Sequence, residues 1–76
     1  MTLNRLAAGQ TARVTALRLT GAIRRRLLDL GLIEGTCVRC LRRGAAGDPV
    51  IYAFRGTMVA LRCEDSARVC VEVDGA

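Results

Sequence analysis

Four cysteines, Cys37, Cys40, Cys63 and Cys70, are the residues of this chain with the most evident site chemistry. Cys37 and Cys40 form a C-x-x-C pair, the spacing of zinc knuckles and redox dithiols. Cys63 and Cys70 do not repeat that spacing. The other catalytic types are scarce. Histidine and lysine are both absent, so there is no imidazole base or ligand, no Schiff-base amine and no lysine for a phosphate loop. Ser66 is the only serine, and a cysteine nucleophile would lack its usual histidine partner. This inventory argues against an enzyme, and no cofactor is expected.

Whether the thiols can act together depends on the elements that carry them. Residues 10–19 alternate apolar and polar side chains, the period of a strand. Thr20 then stands as a helix N-cap, and Ile23, Leu27 and Leu30 share one face of the helix that follows. Leu27 and Leu30 are predicted core residues. Gly31 sits where a left-handed cap would end that helix, and Glu34-Gly35 suits a turn. Residues 36–43 return to strand alternation. Residues 44–49 form a loop holding Gly47, Asp48 and Pro49, the only proline. Residues 50–54 and 57–62 read as a hairpin across Arg55-Gly56. Residues 63–67 suit one helical turn, and 68–73 form a last strand. The pattern predicts a mainly β chain: a small barrel of about five strands, with one short α-helix inserted after the first.

Strand geometry weakens the case for metal. Residues i and i+3 of a strand point to opposite faces, so Cys37 and Cys40 cannot chelate one ion without a bulge or turn. Val38 and Cys40 are expected inward, and Cys37 and Arg39 outward. Cys70 is expected outward with Arg68 and Glu72. No metal site within one molecule is expected. Cys63, Glu64 and Asp65 are the surface candidates for an adventitious or interface metal.

The 76 residues predict a single domain over 1–76 with a small core. The longest apolar run, residues 50–54, is far short of the ~20 needed to span a membrane. With no leader segment evident, a cytosolic protein with reduced thiols is expected rather than a disulfide framework. All twelve basic residues are arginine and the net charge is +5. Arg24, Arg25 and Arg26 spread over about 200° of the helix, with Arg25 farthest from the apolar face and able to meet Asp29. The charge permits nucleic-acid binding. However, Tyr52 and Phe54 are the only aromatics, a poor stacking platform. Nucleic acid is therefore not the expected partner.

The ordered set "RRRLLDLGLIEG", Gly47-Asp48-Pro49, and "VALR" followed by Ala67 resembles the FeoA family of ferrous iron transport accessory proteins. The similarity runs from about residue 6 to residue 73. It implies an SH3-like barrel on the cytosolic side of the inner membrane, working with the membrane iron transporter that carries a GTP-binding domain, FeoB. Similar domains form part of some metal-dependent repressors, which leaves a nucleic-acid-associated module as the alternative reading. The expected mode of action is contact. The candidate contact residues are Arg24, Arg25, Arg26, Leu32 and Glu34 on the helix and turn, with Gly47, Asp48 and Pro49 on the loop. An anionic membrane surface and a second copy of the chain are further candidate partners.

Overall fold

The computed structural model describes residues 1–73, and the alternation in the sequence is what builds its sheet. Strand β1 (Thr11–Leu17) is followed by helix α1 (Gly21–Leu30), then β2 (Cys37–Arg43), β3 (Val50–Phe54), β4 (Thr57–Leu61), the short helix α2 (Cys63–Ser66) and β5 (Val69–Val73). The strands lie in the order β4-β3-β2-β1-β5, every neighbouring pair antiparallel. This is the mainly β, SH3-like arrangement expected. The first strand is shorter than its alternation, because Leu19 leaves the sheet and turns into the core.

One face of every strand supplies the core. Ala12 and Val14 come from β1, Val38 and Cys40 from β2, and Val50, Tyr52 and Phe54 from β3. Val59, Leu61, Val69 and Val71 complete it from β4 and β5. Cys37 and Arg39 lie on the other face, exposed. Two extra residues bend this sheet. The register slips by one between Val14 and Ala16 against β5, and again between Cys40 and Arg42 against β3. Each slip is a β-bulge, which increases local twist and lets five strands wrap around one core. The second bulge also explains the fate of Arg42. Strict counting from Val38 and Cys40 would turn it inward, whereas the extra residue Leu41 leaves it exposed.

Alternation in the strands gave no hint that the N-terminal segment closes the core. Leu3 and Leu6 are fully buried around a 3-10 turn at Leu3–Arg5. Arg43 clasps this segment from β2, its guanidinium donating to the Asn4 carbonyl at 2.7 Å and the Leu6 carbonyl at 3.1 Å. Tyr52, buried in the middle of β3, donates its hydroxyl to the Leu3 carbonyl at 3.3 Å. The same segment covers the free edge of β5. Val71 N–H donates to Met1 at 2.8 Å, and the Met1 ammonium donates back to the Val71 carbonyl at 3.1 Å.

Helix α1 packs through Leu27, which is fully buried, while Ile23 and Leu30 are half-buried against the same core. Leu30, expected in the core with Leu27, packs against it but is only half-buried, because the helix ends on it. Leu27→Ala should cost about 2–5 kcal/mol in urea unfolding, since the enclosed site cannot fully collapse. Leu30→Ala should cost clearly less, and equal losses would contradict this packing.

Candidate functional site

The most organised surface element is the turn from α1 into β2. Gly31 has φ 100°, in the left-handed region, and its N–H reaches back to the Leu28 carbonyl at 3.0 Å. Leu32 N–H reaches the Leu27 carbonyl at 2.9 Å. These two bonds define a Schellman cap, which brings the residue after the glycine against the helix three residues before its end. Leu32 is therefore buried, with 0 % exposure, against the core beside Leu27. It cannot be the contact residue that the sequence suggested. The exposed apolar side chain at this tip is its neighbour Ile33, followed by exposed Glu34.

Thr36, which the sequence did not single out, fixes the turn from within. Its buried hydroxyl donates to the Gly31 carbonyl at 2.9 Å and accepts from Ile33 N–H at 3.1 Å. The turn then joins the sheet. Gly35 N–H donates to the Val14 carbonyl at 2.7 Å, and Val14 N–H to the Thr36 carbonyl at 2.9 Å. Across the top, the Arg55 side chain lies so close over Gly31 that a β-carbon there would sit 2.6 Å from the arginine Cδ.

The 44–49 loop occupies the opposite end of β2, about 20 Å away along a seven-residue strand. It is built around a cis Asp48-Pro49 bond and closed by Gly44 N–H donating to the Pro49 carbonyl at 2.8 Å. Asp48 is tied to α2. Its Oδ1 accepts from Cys63 N–H at 3.0 Å, and the Cys63 thiol lies 3.5 Å from the Gly47 carbonyl. The preceding residue, Arg62, offers no side-chain cap. Asp48 thus supplies from a distant loop the cap that α2 lacks locally.

These two ends are not one patch, but α1 and α2 bridge them. A hollow of ≈ 330 Å³ between the helices is lined by Thr20, Ile23, Glu64, Asp65 and Arg68, among others. The exposed side of α1 carries Arg24, Arg25 and Arg26. Arg24, Arg25 and Asp29 line a second hollow of ≈ 460 Å³. The candidates therefore form a belt: the loop, α2 with its carboxylates, the arginine side of α1, and the Ile33-Glu34 tip. A charged surface of this kind, with an acidic end and a basic middle, suits a partner of alternating charge.

The four cysteines are free thiols: Cys37 is exposed, Cys40 buried, and Cys63 and Cys70 half-buried. Cys40 is buried, and burial pushes its thiol above the ordinary range, partly opposed by Arg43. The protonated thiol behaves as a small apolar group. Among the described residues, no three Cys, Asp or Glu side chains are grouped to hold a metal ion, the candidates Cys63, Glu64 and Asp65 included.

Residues 1–73 match the model of the FeoA domain. The chain belongs to the FeoA family. It is 32 % identical over 73 residues to an Fe(2+) transport protein A/Fe(2+) transporter FeoB fusion protein of Porphyromonas gingivalis, covering 96 % of this chain. The chain spans only 9 % of that relative's length. Among solved structures, the FeoA protein of Chlorobium tepidum superposes with a TM-score of 0.94 at 35 % identity, covering 99 % of this chain and 71 % of that one. The FeoA of Stenotrophomonas maltophilia, complexed with zinc, gives a TM-score of 0.84 at 33 % identity, covering 95 % and 89 %. That protein is described as a prokaryotic SH3 domain. This FeoA chain shares the architecture, and its four cysteines are free thiols.

Two predictions follow from the geometry. Asp48→Ala should destabilise the protein by about 0.5–2 kcal/mol in chemical unfolding, the usual loss of a helix cap, while Asp48→Asn, which keeps an acceptor oxygen, should cost much less. Burial also raises the Tyr52 phenol, opposed in part by Ser66. Cys40 and Tyr52 both hold their protons more tightly when folded. Their contribution to stability is complete below the ordinary thiol value of 9.0 and is lost as pH rises through the folded values. Urea midpoints should thus be level from pH 7 to about 8 and fall above about 9, with a shallower fall in Cys40→Ala.

Proposed function

We propose that this FeoA protein is a non-catalytic cytosolic accessory of ferrous iron uptake, acting by contact with a FeoB-type membrane transporter. The observation that carries the reading is the relative in which Fe(2+) transport protein A and the Fe(2+) transporter FeoB share one chain. Joining two modules covalently raises their effective concentration, which benefits modules that otherwise meet by weak association. The Stenotrophomonas relative has been suggested as a ferrous iron transport activating factor. The chain's own inventory agrees, since a protein without histidine or lysine has few means of catalysis. No helix among the described residues is long and apolar enough to cross a membrane.

Contact is assigned to the belt described above. Arg24, Arg25 and Arg26 are exposed on an element whose other face is anchored in the core, so they are presented on a rigid support. Ile33 supplies an apolar anchor at one end, with Glu34 beside it. Asp48 and Pro49 flank the belt at the other end. The arginines also suit the anionic inner leaflet, where each adds a modest attraction and keeps the protein near its partner.

The test is capture of purified FeoB, in its cytosolic and full-length forms, by this chain. Binding is expected, with a double Arg25→Glu/Arg26→Glu variant weaker by about tenfold or more and a steep salt dependence. Ile33→Ser should weaken it as well, whereas Asp48→Asn separates charge from folding because it keeps the cap. Capture of neither form would remove the reading. Capture unaffected by all of these substitutions would move the contact elsewhere on the molecule.

A further inference from the structure

The two edges of the sheet are treated differently. The edge at β5 is covered by the chain's own first residues, through the bonds between Met1 and Val71 and the bridge from Thr2 to Cys70. The edge at β4 has no second strand beside it among the described residues. The pairing of β4 with β3 shows which backbone groups this leaves outside. Phe54 pairs with Thr57 across the two-residue turn Arg55-Gly56, in which both residues have positive φ. In such a hairpin the flanking pair is hydrogen-bonded, and bonded pairs then alternate along the ladder. Thr57, Val59 and Leu61 therefore bond inward to β3. Met58 and Ala60 turn their N–H and C=O groups outward.

The side chains on this edge lack the usual protection. Edge strands are normally blunted by lysine, proline, inward-pointing charge or a bulge. β4 reads Thr-Met-Val-Ala-Leu, has no charge or proline, and keeps an unbroken register with β3. Met58 is 72 % exposed, more than any other large hydrophobic side chain described. It continues a largely apolar strip on the outer face of the sheet, an open hollow of ≈ 410 Å³ lined by Leu41, Arg42, Ile51, Met58, Val59 and Ala60.

We propose that this edge is a self-association surface, on which β4 of a second copy pairs antiparallel with β4 to continue the sheet across a two-fold axis. The occupant follows from self-complementarity. An isologous contact requires a surface that fits itself. With the axis between the two Val59 residues, Met58 of one copy lies opposite Ala60 of the other. All the outward-turned N–H and C=O groups of Met58 and Ala60 then pair reciprocally. The same register sets the long Met58 side chain beside the short Ala60, and joins the two apolar strips into one. The net charge of +5 acts against any self-association and adds to its weakness. Arg62 falls opposite Gly56 of the second copy, one residue from its Arg55, so like charges meet at each end of the contact and weaken it, whereas the two Arg42 side chains start from strands five spacings apart, about 24 Å, beyond the ~8–10 Å screening length. A contact limited to one five-residue strand and a narrow strip lies at the small end of interfaces, so the dimer is weak.

The proposal is independent of the transporter contact, and its test uses this chain alone under reducing conditions, which removes disulfide-linked species through exposed Cys37. Sedimentation from micromolar to millimolar protein should show a concentration-dependent monomer–dimer equilibrium. Met58→Lys, at an exposed position, should raise the midpoint concentration about tenfold or more while leaving the unfolding midpoint unchanged. Amide exchange should slow with concentration at Met58 and Ala60, but not at Thr57, Val59 or Leu61, which are already bonded to β3. A monomer at every concentration would overturn the proposal. So would a dimer indifferent to Met58→Lys, or one that leaves the Met58 and Ala60 amides unprotected.

Discussion

The folding-back of Leu32 onto Leu27 is the constraint on which most of this structure rests. It needs a residue that tolerates φ 100° at position 31, and glycine is there. Once Leu32 is buried, the chain must leave the helix in one direction. Thr36 then fixes the exit through its two hydroxyl bonds, and Gly35 and Thr36 meet Val14 to begin the pairing of β1 with β2. The register of the central strand pair is thus set by a helix terminus. The exposed part of the belt inherits its placement from the same event, because Ile33 and Glu34 stand on a turn anchored at both sides.

The opposite end of β2 is organised by a different and longer-range interaction. Asp48 caps a helix fifteen residues later in the chain, so the loop and α2 hold each other. The two ends differ in character as a result. One is a short-range cap made from consecutive residues. The other joins two segments that are individually weak, a loop rich in glycine and a helix of one turn. Helix α1 lies between them and presents its arginines on a surface whose limits are both defined.

Much of the architecture could be read in the sequence, because strands with one buried face leave a period-2 trace. The opposite facing of Cys37 and Cys40 follows from that period, and it disposes of the pair as a chelate. Other features left no such trace. Leu32 is buried by a cap rather than by helical period, so counting along α1 could not place it. The bulges shift facing by one residue and have no local signature here. Leu3 and Leu6 lie in a segment without regular period, and their burial depends on Arg43 and Tyr52 from distant strands. The bond from Cys63 to Asp48 is likewise non-local. Thr36, in the turn just before β2, follows Gly35, but nothing in its spacing marks it as the residue that fixes the turn.

Leu41 shows how one residue can serve two purposes that then cannot be adjusted separately. As the extra residue opposite β3 it bends the strand, and the curvature lets the sheet enclose its core. Being extra, it must point somewhere, and it adds an aliphatic side chain to the outer strip beside Ile51. Removing it would leave Cys40 opposite Tyr52 and Arg42 opposite Ile51, so the pairing itself would survive. What would change is the shape of the sheet and the adhesiveness of its outer surface, together.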